Sequence, residues 1–159
     1  MTLTEIRPDG SVKESLGSGG GSGSELDYAQ RTADLVVSVT TEATSVAVVT
    51  GNSVTYDGTK VRIEFFCNQI VNSVWSQTAT LVFYRDAVVL GASNFVTAGA
   101  SPSQTNVPLN LVLYDTPSAG AHTYAVKAFV ASGGGNVTFK AGAGGSGTFI
   151  PVFLRVTKA

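Results

Sequence analysis

The chain has 159 residues, 13% of them charged, and a formal net charge of −1. That charged fraction is roughly half the usual quarter, and no basic stripe is present, so nucleic acid is excluded as a partner class. No apolar run approaches the ~18 residues of a membrane span. The opening MTLTEIRPDG lacks a leader's basic-then-apolar pattern, and a single cysteine excludes an internal disulfide.

Residues 1–16 read as a distinct arm. Leu3 and Ile6 precede Arg7-Pro8-Asp9-Gly10, and Val12 and Leu16 follow. Pro sets φ, Asp caps and Gly takes positive φ, so the arm is expected to form a small hairpin. Two strands have no core of their own, so its four apolar residues are the expected anchors on a body, a sister subunit or a larger assembly. Residues 17–24, GSGGGSGS, read as a flexible linker.

The remaining segment, 25–159, is expected to be one domain. Thr, Ser, Val, Ala and 18 Gly dominate, which suits short strands and not long amphipathic helices. Short apolar runs at 35–39 and 45–49 read as strands. Val54 to Tyr56, the turn Asp57-Gly58 and the run from Val61 predict a hairpin. From Val61 the pattern alternates: Val61, Ile63, Phe65 and Cys67 on one face, Arg62, Glu64, Phe66 and Asn68 on the other. Ala79, Leu81 and Phe83 mark a further strand, which Arg85-Asp86 turns into a short run ending at Leu90. Residues 91–106 are small and polar and read as a long surface connection carrying at most one short strand.

Residues 109–130 read as the organising hairpin. Leu109, Leu111 and Leu113 line one strand. Beyond the Pro117-Ser118 turn, His122, Tyr124, Val126, Ala128 and Val130 line the other. Strands at 137–141 and 149–157 close the count, with Pro151 marking an edge or bulge. The total is about eight strands without a helix, which is an all-β antiparallel sandwich or barrel.

The candidate chemistry is sparse. His122 is the sole histidine and sits in strand alternation beside a turn. A structural role outweighs that of a base in a Ser/His/Asp set. One His and one Cys make no zinc set, the carboxylates form no calcium loop, and the glycine runs lack a phosphate loop's Gly-Lys-Ser/Thr ending. No metal, cofactor or catalytic residue is therefore expected. Cys67 reads as a buried small hydrophobe. Trp75, between two strands, reads as a plug for the end of a core, with sugar stacking as the competing role.

Four segments carry a resemblance: Glu25-Leu26-Asp27-Tyr28-Ala29-Gln30, then 61–66, then Asp115-Thr116-Pro117-Ser118-Ala119-Gly120-Ala121-His122-Thr123-Tyr124, then 149–156. Together they resemble the small β-sandwich virion domain of tailed bacteriophages, especially phages of actinobacteria, across residues 25–159. Such domains occur in minor tail and fibre proteins and in capsid-associated proteins. Here Ser118 is inserted between the Pro and Ala of that turn. The resemblance implies a jelly-roll-like sandwich, a homotrimer and no enzymatic activity. Its leading implication is a capsid decoration protein on the outer surface of the capsid, held on the major capsid protein or another virion protein through the arm. The alternative is a tail fibre component that binds a host-surface glycan, with Trp75, Tyr84 and the 91–106 loop at an exposed tip.

Overall fold

A computed structural model describes residues 23–74, 76–96 and 108–159, together with the backbone of residues 4–6 and 12–14. Strands β1 (Thr4–Ile6) and β2 (Val12–Glu14) pair antiparallel, with Ile6 opposite Val12. Leu3, Leu16, Trp75 and residues 97–107 lie outside the described residues.

Among the described residues the body holds thirteen strands, and all their pairings are antiparallel. They are β3 (Glu25–Arg31), β4 (Leu35–Val37), β5 (Val46–Thr50), β6 (Val54–Asp57), β7 (Val61–Cys67), β8 (Gln69–Asn72) and β9 (Thr78–Arg85), then β10 (Val88–Val96), β11 (Leu109–Asp115), β12 (Ala119–His122), β13 (Tyr124–Ser132), β14 (Val137–Lys140) and β15 (Val152–Lys158). One 3₁₀ turn, Glu42–Thr44, is the helical element among the described residues. No described helix is long and apolar enough to cross a membrane.

Two four-stranded sheets form the jelly-roll-like sandwich. Sheet I has the order β10-β9-β13-β5 and sheet II the order β11-β7-β15-β3. A three-stranded sheet, β4-β14-β8, and a two-stranded one, β12-β6, complete it. The alternation in β7 sends Val61, Ile63, Phe65 and Cys67 inward, each at most 1% exposed. Phe65 meets Phe83 of β9 edge-on across the two sheets, centroids 6.4 Å apart. Val126, Ala128 and Val130 of β13 and Val152, Leu154 and Val156 of β15 fill the same layer. Each buried Val, Leu, Ile or Phe here contributes on the order of 1.5–3 kcal/mol through burial. Burial also pushes the Cys67 thiol up to about 11, so it rests as an inert protonated hydrophobe.

Several expected connections are corrected. Residues 109–130 are not a hairpin: β11 pairs with β7 in sheet II, whereas β13 pairs with β9 and β5 in sheet I. The turn reverses the chain, but β12 intervenes and takes β6 as its partner, so the chain changes sheets. For the same reason β6 and β7 do not pair. Asp57 Oδ1 accepts from Thr59 N (3.0 Å) and Gly58 lies at φ +85°, so the turn is real but hands the chain from β6 to sheet II. The strand after Asp86 continues to Val96, because Leu90 and Phe95 pack against the core while Ala92, Asn94 and Val96 face outward on an edge strand. Pro151 lies just before β15 and interrupts no ladder of that central strand. The count exceeds eight because β4, β6, β8, β12 and β14 are only three or four residues long.

The glycines 133–135 are required by close approach. A Cβ on Gly133 would meet Gln77 Cα at 2.8 Å and Ser76 O at 2.9 Å, and its φ is +89°. The Gln77 amide donates to Gly134 O, and Ser73 N donates to Asn136 O (2.9 Å), so the β8–β9 and β13–β14 loops are locked together.

Candidate functional site

The outer face of sheet II carries the candidate site. The inner residues of β7 and β15 are apolar, so alternation puts Arg62, Glu64 and Phe66 outside on β7, and Phe153 and Arg155 outside on β15. On the edge strands it puts Asn110, Val112 and Tyr114 outside on β11, and Tyr28 and Gln30 outside on β3. Strand register then aligns these into rows. Asn110 is opposite Phe66, Phe66 opposite Phe153, and Phe153 opposite Gln30. The result is one row of amide, ring, ring and amide across all four strands, about 14 Å wide at the ~4.8 Å strand spacing.

The rings form one contiguous cluster. Phe66 and Phe153 stack at 5.4 Å between centroids with an interplanar angle of 18°, and Tyr28 lies 5.6 Å from Phe153. Each such pair adds about 0.5–1.5 kcal/mol beyond area burial. Tyr28 remains 39% exposed, and its hydroxyl donates to Gln30 Oε1 (3.2 Å). Just past β7, Asn68, Gln69, Pro108 and Phe149 line a groove of about 320 Å³.

The two arginines on this face are matched. Arg62 Nη1 lies 2.8 Å from Glu64 Oε2, and Arg155 Nε lies 3.0 Å from Glu25 Oε2. The Arg62 guanidinium holds the Glu64 carboxyl below the usual carboxylate range. Asn110 Nδ2 donates to Glu64 Oε1 (3.3 Å), and Lys60 Nζ sits 4.7 Å over the Tyr114 ring. The face thus sets contiguous apolar area beside amides and two ion pairs.

A second cluster lies at the β6–β12 end. His122 Nδ1 is 2.7 Å from Asp86 Oδ2, and its Nε2 is 3.1 Å from Ser118 Oγ. These are the distances of a nucleophilic triad, and sequence order gave no sign of Asp86 as the third member. However, Nε2 also lies 3.1 Å from the Ser118 carbonyl oxygen. A base that takes a proton from Ser118 needs a bare Nε2, whereas a carbonyl at that distance calls for an N–H. The geometry is that of a clasp. Asp86 also accepts from Thr123 N (2.9 Å), and the His122 ring and that N–H hold its carboxyl below the usual range.

Tyr84 is not at an exposed tip. It is 8% exposed, in β9, with its hydroxyl donating to Glu42 Oε1 (3.0 Å) and Lys127 Nζ 4.5 Å over its ring. Burial raises its hydroxyl's pKa above the ordinary tyrosine value. Ile6 and Val12 are partners in the arm hairpin. Among the described residues no group of three or more His, Cys, Asp and Glu could hold a metal ion.

No family model and no curated protein matches the chain. Similar solved structures include a carbohydrate-binding module from Cellvibrio mixtus lichenase 5A in complex with cellotriose: 15% identity, TM-score 0.38, covering 99% of this chain and 87% of that one. Another is the Eiger TNF of S. frugiperda: 13% identity, TM-score 0.41, covering 86% of this chain and 93% of that one. A third is the enzymatically active domain of bacteriophage CBA120 tailspike protein 4: 13% identity, TM-score 0.33, covering 87% of this chain and 20% of that one. Resemblances of this extent carry no argument about activity or ligand.

Proposed function

We propose that this chain is a non-catalytic binding module of a phage virion that docks a host-surface glycan on the outer face of sheet II. The observation that carries the reading is the row Asn110, Phe66, Phe153, Gln30. A saccharide presents apolar C–H faces and polar hydroxyls together. Rings take the former, and amides, which both donate and accept, take the latter. The matched ion pairs leave little net charge at the row and favour a neutral glycan. The arm and linker would tether the module to a larger assembly.

The test is affinity electrophoresis or calorimetry against a panel of polysaccharides and host envelope glycans. Phe153→Ala and Gln30→Ala are each expected to weaken binding about tenfold or more, the loss of ~1.4 kcal/mol, with unchanged far-UV circular dichroism. Binding that survives both substitutions would refute the reading.

The paired β1–β2 hairpin supports a second reading, capsid decoration, in which the arm adds to an exposed strand of the major capsid protein. Co-sedimentation with capsids then requires residues 1–24. Equal binding by residues 25–159 alone would remove that reading.

A further inference from the structure

One arginine of the body is held differently from the rest. Arg62, Arg85 and Arg155 each meet a carboxylate within 3.0 Å. Arg31, at the end of β3, meets none among the described residues. It is half-buried and spans the open side between edge strands β3 and β5. Its Nε donates to Val48 O (2.6 Å) and its Nη2 to Ala47 O (3.2 Å). The side of the guanidinium formed by Nε and Nη2 is thereby used. The end formed by Nη1 and Nη2 keeps N–H groups with no acceptor among the described residues. The carboxylates near Arg31 along the chain are committed elsewhere. Asp27 accepts from Asn52 N (2.9 Å) and Nδ2 (2.8 Å), Asp34 from Lys140 Nζ and Ala141 N, and Glu42 from the Tyr84 hydroxyl. A half-buried charge without a counter-ion is costly.

Arg31 lines a groove of about 400 Å³ between β3 and β5, and no Asp or Glu lines it. That volume falls within the range of small-molecule sites. Gln30, Thr32 and Thr50 are exposed along it. Gln30 Oε1 accepts from the Tyr28 hydroxyl, which leaves its amide N–H groups to donate. β10 and β11, which residues 97–107 connect, lie at the opposite edges of the two sheets. The chain enters β3 from the arm at the far end, where Gly23 N donates to Lys158 O. That point is about 26 Å from Arg31 along an extended strand.

We infer that this groove is a second binding site, separate from the aromatic row, which takes the carboxylate of an acidic sugar on Arg31. The free end of the guanidinium presents parallel N–H groups, the fork that a carboxylate accepts in bidentate fashion. The two β5 carbonyls hold that fork in place, so little ordering is lost on binding. One positive charge matches a single carboxylate better than a phosphate of nearly two charges. Gln30, Thr32 and Thr50 offer the amide and hydroxyl groups that sugar hydroxyls bond. A peptide strand fits less well, because addition to β5 competes with Arg31 for the carbonyls of Ala47 and Val48. The inference rests on the proposed function only in naming a sugar as the carrier of the carboxylate. The acid belongs to the groove and the neutral glycan to the row.

The experiment is an amide chemical-shift titration of the isotope-labelled full chain with glucuronate, its uncharged methyl ester, glucose and acetate. Glucuronate is expected to move the amides of residues 30–33 and 47–50. The ester, glucose and acetate are each expected to bind about tenfold or more weakly. Arg31→Gln should abolish the shifts, but it also removes the tie to β5. Thr32→Glu, at an exposed position, leaves the tie and sets a carboxylate beside the guanidinium. It is expected to weaken glucuronate about tenfold or more with unchanged far-UV circular dichroism. An ester that binds as tightly as glucuronate overturns the inference, and acetate that does so removes the sugar from it. Shifts confined to Phe66 and Phe153 place the acid on the row and overturn it too, as does the absence of any shift at 30–33 and 47–50. The row is tested with neutral polysaccharides, so either reading can fail alone.

Discussion

Asp115→Ala tests the tie that holds the two sheets together at the β6–β12 end. Asp115, the last residue of β11 in sheet II, receives Arg85 Nη1 at 2.7 Å and the Tyr124 hydroxyl at 2.8 Å, both from sheet I. The Arg85 and Asp115 side chains are only 21% and 14% exposed, and Tyr124 is 1% exposed. Burial, and then the Asp115 carboxylate, push the Tyr124 phenol well above its ordinary value. Hydrogen bonds to a charged group contribute about 1.5–3 kcal/mol each, and a buried hydroxyl left without a partner costs ~1–3 kcal/mol. Arg85 regains water when released, so its bond counts toward the low end. The expected loss is about 3 kcal/mol, or roughly 10 °C in Tm for a body of this size. Both bonds go to Oδ2, so Asp115→Asn, with its one carbonyl oxygen at that place, keeps both acceptor contacts without the charge and is expected to cost about 1 kcal/mol. The assay is urea unfolding at pH 7 with m held constant, run as a cycle with Tyr124→Phe. The cycle should show a coupling of about 1 kcal/mol. A loss under ~1 kcal/mol in Asp115→Ala, or strict additivity with Tyr124→Phe, would refute the reasoning.

Two further outcomes concern acid stability and the glycine loop. Asp57 is held well below its ordinary value by Lys158 and Thr59, Glu64 by Arg62, and Asp86 by His122 and Thr123 N. Their folded pKa values lie below the unfolded ones near 4, so this stability is present above about pH 4 and lost as pH falls through the folded values. Tm measured from pH 7 downward should hold to about pH 5 and then drop, and a Tm that rises on acidification would contradict the assignment. Gly133→Ala should cost clearly more than Gly134→Ala, as read by thermal unfolding. Both have positive φ, but only at Gly133 does a Cβ collide with backbone, whereas nothing lies within 4 Å at Gly134. Equal costs for the two would show that the loop yields without resistance.

The strand faces were legible because alternation is a local property. In β7 the sequence order Val61, Arg62, Ile63, Glu64, Phe65, Phe66 assigns each side chain to core or surface without knowledge of any partner, and burial follows it. Partner choice is not local. Pro117-Ser118 and Asp57-Gly58 announce reversals, but nothing in a turn tells whether the next strand lies beside the last or in the facing sheet. β12 pairs with β6, some sixty residues earlier, and that long-range contact separates β11 from β13. The segment at 91–96 was hidden by its composition: Gly91, Ala92, Ser93 and Asn94 have the small polar character of a loop, yet an edge strand with one side to solvent tolerates it.

The candidate site belongs wholly to the second kind of information. Asn110, Phe66, Phe153 and Gln30 come from four strands spread across the chain, and each alone is an unremarkable outward position. Three antiparallel registers bring them into one line, and a slip of one residue in any strand would turn its member inward. The bulge between Val156 and Thr157 falls beyond Phe153, so the row escapes the shift that misaligns Glu25. The same constraint makes the row rigid, because both rings stand on inner strands whose opposite faces, at Phe65 and Leu154, are at most 1% exposed. A ligand meeting this face would therefore pay little to order it, which favours the glycan docking proposed above.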